Sequence, residues 1–191
     1  MIGEAFRGGI FHFLSDPKDG LTGCYEFFED GLLVVENGRI AQLGDAEPLV
    51  GELDASVRIH EYAGKIICPG FVATHVHYPQ LAIIASYGES LIDWLECYAF
   101  DEEKKFGDAD HSLKTANHFL DELLRCGTTT AQVFGTVHPE SVEGFFTAAE
   151  KRDLRMICGK VLMDRNGPIG LLDTPETSYI DSKNLIERWH G

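Results

Sequence analysis

The sequence predicts an α/β chain in which a small β module precedes strand and helix units that build a parallel sheet. From residue 66 onward, apolar β-prone runs at 66–77, 128–137 and 155–163 alternate with amphipathic helical stretches. That order, with right-handed crossovers, makes a parallel sheet. Before residue 66 the periodicity is that of strands joined by tight turns, with no helical stripe. A chain of 191 residues, 44% hydrophobic and 25% charged, is long enough to bury a substantial core. The expected organisation is therefore a β module over residues 1–66 and an α/β part over residues 67–191.

In the β module, Gly31 to Glu36 and Arg39 to Gly44 flank Asn37-Gly38. A two-residue Asn-Gly connection between alternating apolar runs favours a type I′ hairpin, because both central residues need positive φ. Ile10 to Leu14, Tyr25 to Phe28 and Val57 to Tyr62 are further strand candidates. His12 and His60 are isolated in sequence and read as structural or solvent-facing side chains.

The α/β part opens with Cys68-Pro-Gly-Phe-Val-Ala-Thr-His-Val-His-Tyr-Pro-Gln80. Pro69-Gly70 supplies a turn, and Phe71-Val72 begins the strand. In a strand alternate side chains share a face, which sets the Cα atoms of His75 and His77 about 6.5 to 7 Å apart. Both imidazoles then reach one ion at about 2.0 to 2.1 Å. The same pair also reads as two strand-end histidines bonded to water or to backbone carbonyls. Their place at the C-terminal end of a parallel strand, where α/β proteins carry their sites, favours the metal. By the same parity Ala73 is expected on the face of His75 and His77.

A long connection comes next, residues 78–108. In it Leu91, Trp94, Leu95 and Tyr98 are spaced i, i+3, i+4, i+7, which predicts a short helix. Its apolar stripe either packs on the sheet or acts as a lid with aromatic residues. Asp108 or Asp110 is placed to cap the next helix, in which Leu113, Ala116, Leu120, Leu123 and Leu124 form one face and Gly127 the stop. Pro139 suits the first turn of another helix, with Val142, Phe145, Phe146 and Ala149 inward. A loop rich in Gly, Pro and Asp, residues 164–174, precedes a last helix from Pro175 to His190.

Cys68 to His77 resembles the first metal-binding strand of the amidohydrolase superfamily: Pro-Gly, two apolar residues, Asp, a small residue, His-x-His. One position departs from that pattern, since Ala73 stands where the family has Asp. Tyr78-Pro79-Gln80, Ala85-Ser86-Tyr87-Gly88-Glu89, Asp93-Trp94-Leu95, Tyr98-Ala99-Phe100, Gly127-Thr128-Thr129-Thr130 and Gly159-Lys160-Val161-Leu162-Met163-Asp164 narrow the resemblance to guanine deaminases. It runs from about residue 30 to residue 191. The resemblance implies that the α/β part is the first three units of a (β/α)₈ TIM-type barrel, of which a closed barrel has eight. It also implies that the β module is part of a composite β-sandwich.

The activity implied is hydrolysis of guanine to xanthine and ammonia by metal-activated hydroxide, with this chain an N-terminal portion that is inactive alone. His75 and His77 are the implied metal ligands. Gln80, whose carboxamide both donates and accepts, is the implied base contact beside His77. The family's other ligands and its acid/base residues match nothing in this chain. One zinc per active site is implied, with iron an alternative because imidazole suits both. Lys160 reads as structural, and His138 as a loop or helix-cap residue. Two other readings stand beside this one: an amidohydrolase acting on another aromatic heterocycle (cytosine, an adenosine-type base or a triazine), and a non-catalytic structural or partner protein.

A formal net charge of −15 excludes nucleic-acid binding through phosphates, which needs a basic surface. The substrate expected is a small purine. Cys24, Cys68, Cys97, Cys126 and Cys158 are odd in number and contain no C-x-x-C pair, the pattern of reduced thiols. No apolar run approaches the ~18 residues of a membrane span, and no signal-peptide pattern opens the chain. The expectations are a cytoplasmic protein with no membrane partner and, by resemblance, a homodimer in the complete enzyme.

Overall fold

A computed structural model of the chain describes residues 3–18, 20 and 22–190. It divides into two compact units, Met1–Pro69 and Gly70–Gly191.

The first unit is a mixed four-stranded sheet in the order β3-β2-β1-β4, built from β1 (Glu4–Phe13), β2 (Tyr25–Glu36), β3 (Arg39–Asp45) and β4 (Arg58–Ile67). Among the described residues its strands form this one sheet. The β2-β3 turn has the expected geometry, with Asn37 at φ 52° and Gly38 at φ 74°. β2 is longer than expected and fuses two of the candidate segments. Between β3 and β4 lies α1 (Ala46–Glu52), which the sequence pattern hides because Pro48 and Gly51 look like loop punctuation. Pro48 is tolerated because it sits in the first turn, where the backbone N–H has no helical partner. Ala46, Leu49 and Val50 of α1 close over Ala5, Leu32 and Val34. His12 and His60 face carboxylates across the sheet, Glu26 at 3.2 Å and Glu4 at 3.4 Å.

The second unit is a parallel sheet, β5-β6-β7, formed by β5 (Phe71–His77), β6 (Thr128–Phe134) and β7 (Arg155–Gly159). The connections carry α4 (Ala109–Arg125) and α5 (Pro139–Glu150), and α6 (Pro175–Trp189) comes after β7. Asp108, rather than Asp110, caps α4 by accepting from the His111 N–H at 2.8 Å. Gly127, at φ 80°, ends the turn after it. Ala116, Phe119 and Leu120 of α4 meet Phe145, Ala148 and Ala149 of α5, with Ala131 and Val133 of β6 beneath. Leu124, expected on that face, is instead exposed, and Phe119 takes the inward position.

β6 and β7 end earlier than the apolar runs suggest, at Phe134 and Gly159. Beyond those points two bonds still join the segments that follow β6 and β7: Gly135 N–H donates to the Gly159 carbonyl at 3.0 Å and Val161 N–H to the Thr136 carbonyl at 2.9 Å.

The connection after β5 also differs from the single helix expected. It runs through a 3₁₀ helix (Tyr78–Ile83), α2 (Leu91–Trp94), a π turn (Leu95–Ala99), α3 (Phe100–Glu103) and a further 3₁₀ turn (Lys104–Gly107). A π turn admits one extra residue, so it rotates the residues after it out of the 3.6-residue stripe. Leu91, which precedes the turn, is 70% exposed, while Trp94 is anchored by its indole N–H, which donates to the Ser86 carbonyl at 3.1 Å. The stripe is not buried as one face: Leu91 and Tyr98 are exposed, whereas Trp94 and Leu95 are half-buried.

Candidate metal and base site

β5 is held at both ends. At its entry Gly70 lies against Thr129, so close that a Cβ on residue 70 would stand 2.1 Å from the threonine side chain. At its exit Tyr78 is fully buried, its hydroxyl donates to the Ser141 carbonyl at 2.5 Å, and its ring packs on Phe106, Phe119 and Phe145. Fixing the residue next to His77 in this way leaves the histidine little freedom to tilt.

Within β5 the pairing with β6 slips between Ala73 and Val76: Ala73 partners Ala131 and Val76 partners Val133. Cross-strand partners share a face, and Ala73 and Val76 both pack against the helix-side core. Two residues three apart on one face mean a bulge in β5, of the kind that re-aims side chains beside sites. Simple parity therefore fails here. Ala73 lies on the helix side, while His75 and His77 gather around Phe134.

The two imidazoles converge. Their Nε2 atoms are 3.3 Å apart, and each ring centroid lies 4.7 Å from that of Phe134, with His77 stacked on it at 10°. Two nitrogens bound to one tetrahedral ion at about 2.05 Å are necessarily about 3.3 to 3.4 Å apart. The donor set and its spacing thus fit a zinc ion, and equally the hydrogen bond that a neutral pair makes without one. Burial lowers the His77 pKa, and the neighbouring His75 lowers it further. Both effects favour the neutral ring, the form that ligates metal.

His77 and Gln80 line one cavity of about 340 Å³, together with Leu81, Ile84, Ala85 and Trp94. That volume is at the lower end of the ~300 to 1,000 Å³ typical of ligand sites. Its rim includes Ala85 in the left-handed region at φ 64°, a strained conformation that in folded proteins gathers at functional segments. The Gln80 side-chain NH₂ donates to Glu103 Oε1 at 3.1 Å. Burial pushes the Glu103 carboxyl up, opposed by that donated hydrogen bond.

Sequence reasoning missed Glu103 and Phe134. Glu103 is hidden in the run Asp101-Glu102-Glu103, and nothing in the sequence marks the π turn that aims it. Phe134 was detectable, since it alternates with Val133 at the end of a strand.

The remaining candidates fall elsewhere. Among the described residues no group of three or more His, Cys, Asp or Glu side chains converges as a metal centre, so His138 does not join the pair. It occupies the N-cap position of α5 without a side-chain cap bond, its ring beside Gly107. Lys160 is buried and ion-paired with Asp173 in the loop before α6, which is the structural role expected of it.

A model of the Amidohydrolase family matches residues 66–190. The chain is 46% identical over 190 residues to the guanine deaminase of Escherichia coli (strain K12), covering 98% of this chain and 43% of that protein. A solved structure of Escherichia coli guanine deaminase superposes with a TM-score of 0.90 at 44% identity, covering 98% of this chain and 44% of the other. A guanine deaminase from C. acetobutylicum, solved with guanine in its active site, superposes at 0.78 with 28% identity, over 97% of this chain and 42% of that one. The chain thus spans less than half the length of these relatives.

Proposed function

The chain belongs to the amidohydrolase family, and from that premise we propose that it is the N-terminal, metal-binding portion of a guanine aminohydrolase, converting guanine and water to xanthine and ammonia. The observation that carries the reading is the convergence of the His75 and His77 Nε2 atoms, with His77 and Gln80 lining one cavity, in a chain whose relatives act on guanine. In this reading β5, β6 and β7 are the first three strands of a (β/α)₈ barrel, and the N-terminal sheet is part of a β-sandwich completed by residues outside this chain.

His75 and His77 would hold the metal, zinc in preference and iron as the alternative. When bound, it supplies Lewis acidity that makes water nucleophilic near neutral pH. The chain's own residues do the rest of what is local: Phe134 packs both rings in place, Tyr78 fixes the strand end, and Gln80 offers its carboxamide to the mixed donor and acceptor edge of the base. Two histidines are short of the three protein ligands usual at catalytic zinc. Turnover therefore requires groups from beyond this chain, and the chain alone is inactive. The complete enzyme is proposed to be a cytoplasmic homodimer. No described helix is long and apolar enough to cross a membrane.

The test is a guanine-to-xanthine absorbance assay on the chain alone and on the chain joined to the remaining length of the Escherichia coli relative. Turnover only in the joined protein, with guanine preferred over adenosine, cytosine and triazines, is the expected result. Preference for another heterocycle would replace guanine with that substrate. A joined protein that folds, binds zinc and hydrolyses none of them would make the chain a non-catalytic part.

A further inference from the structure

The Gln80 carboxamide is held from one side only. Its NH₂ group donates to Glu103 Oε1 at 3.1 Å, and among the described residues its oxygen has no protein partner. Gln80 lines the cavity with His77, whereas Glu103 is not among the residues that line it. The terminal torsion of a glutamine is soft and nearly two-fold, so an unrestrained carboxamide presents either its oxygen or its NH₂ group to a ligand. An ionised carboxylate can only accept, and so it selects one of the two orientations. Both residues sit in hydrogen-bonded turns: Gln80 comes directly after the buried Tyr78-Pro79 in the 3₁₀ helix, and Glu103 is the last residue of α3, the element after the π turn.

We propose that Glu103 is a positioning residue that turns the Gln80 NH₂ group into the protein and leaves the Gln80 oxygen facing the cavity, so that the site selects a base edge presenting an N–H donor. This rests on the guanine reading for the identity of the base, but not for the orientation of the amide. Guanine carries such donors on its ring nitrogens and at its exocyclic amine. A base edge that offers only acceptors would face the Gln80 oxygen lone pair to lone pair, and a buried acceptor left unmatched is costly.

The experiment uses the whole chain labelled with ¹⁵N and reads the Gln80 side-chain NH₂ pair, assigned by its disappearance in Gln80→Glu. In Glu103→Leu the exchange of these protons with water is expected to quicken about tenfold, the weight of one charge-assisted hydrogen bond. Glu103→Gln keeps an acceptor without the charge and should fall between the two. Unchanged Tyr78 ring resonances report that the fold is intact. Should Glu103→Leu fail to fold, Glu103→Gln decides alone. Equal exchange in the wild type and the folded variant overturns the proposal.

Guanine and its ring-N-methylated derivatives are then added to the wild-type chain. A shift of the Gln80 pair with guanine that at least one methylated guanine fails to produce supports selection of a donor edge. Equal shifts with all of them overturn it. No shift with guanine, while exchange still depends on Glu103, rejects guanine as the base and leaves the positioning role in place.

Discussion

Replacing Lys160 separates a structural role for this lysine from a role in metal chemistry. Its ammonium and the Asp173 carboxylate are 1% and 7% exposed and pair directly. Asp173 also accepts from the Thr177 hydroxyl at 2.5 Å, and its backbone N–H reaches the Met163 carbonyl at 2.7 Å. The pair therefore fastens the loop after β7 to the start of α6. Lys160→Met leaves a buried carboxylate without its cation, and breaking a buried pair from one side costs about 3 to 5 kcal/mol. Removing both charges in Lys160→Met/Asp173→Leu should recover most of that loss, since apolar replacement of a buried pair is often close to neutral.

The pH dependence has a definite sign. Burial alone would raise the Asp173 pKa, but the hydrogen bonds from Lys160, Thr177 and Ser178, with the Lys160 charge, hold it below the ordinary carboxylate range. A depressed carboxyl pKa contributes stability that is present above the unfolded value, near ~3.9, and is lost as pH falls through the folded value. In Lys160→Met burial acts unopposed by the lysine, so Asp173 takes up its proton at higher pH and the gap from wild type narrows on acidification. Urea unfolding followed by tryptophan fluorescence, at neutral pH and near pH 4, measures both effects. A Lys160→Met variant as stable as wild type would refute the reasoning, as would a double variant no better than the single one.

Tyr78→Phe removes the hydroxyl that donates to the Ser141 carbonyl; that carbonyl keeps its helical partner in α5, so the loss is that of one hydrogen bond, about 0.5 to 1.5 kcal/mol in the same unfolding assay. Thr174→Ala removes the side chain that accepts from the Thr177 N–H in the α6 capping box, for a loss of about 1 kcal/mol and earlier hydrogen exchange in the first turn of that helix. Burial pushes the Cys158 thiol up to about 12, whereas Cys68, Cys97 and Cys126 are exposed. Iodoacetamide at pH 8, read by mass spectrometry, should label those three well before Cys158, because only the thiolate reacts; equal labelling in the folded chain would contradict the burial.

The features legible in the sequence were those that local chemistry dictates. Asn37-Gly38 demands a type I′ turn and forms one; the Asp108 and Gly127 punctuation bounds α4, and Pro139 opens α5. His75 and His77 were legible because a strand of any register brings residues two apart to one face. The errors arose where a single inserted residue broke a period. The bulge in β5 moved Ala73 to the helix side, and the π turn that begins at Leu95 interrupted the stripe of Leu91, Trp94, Leu95 and Tyr98. Neither insertion has a residue signature of its own. Glu103 stayed hidden for the same reason, since its approach to Gln80 depends on the turn before α3. The helix α1 was lost to Pro48 and Gly51, whose loop preference is overridden by apolar packing of Ala46, Leu49 and Val50 on the sheet.

The central claim is that His75 and His77 form half of a metal shell. Zinc binding by the purified chain, measured by competition with a chromophoric chelator in wild type, His75→Ala and His77→Ala, tests it most directly. The account predicts one weakly held zinc per chain that either substitution abolishes while the fold is unchanged. Zinc binding that survives both substitutions, or wild-type chain that binds no more zinc than the variants, would contradict it.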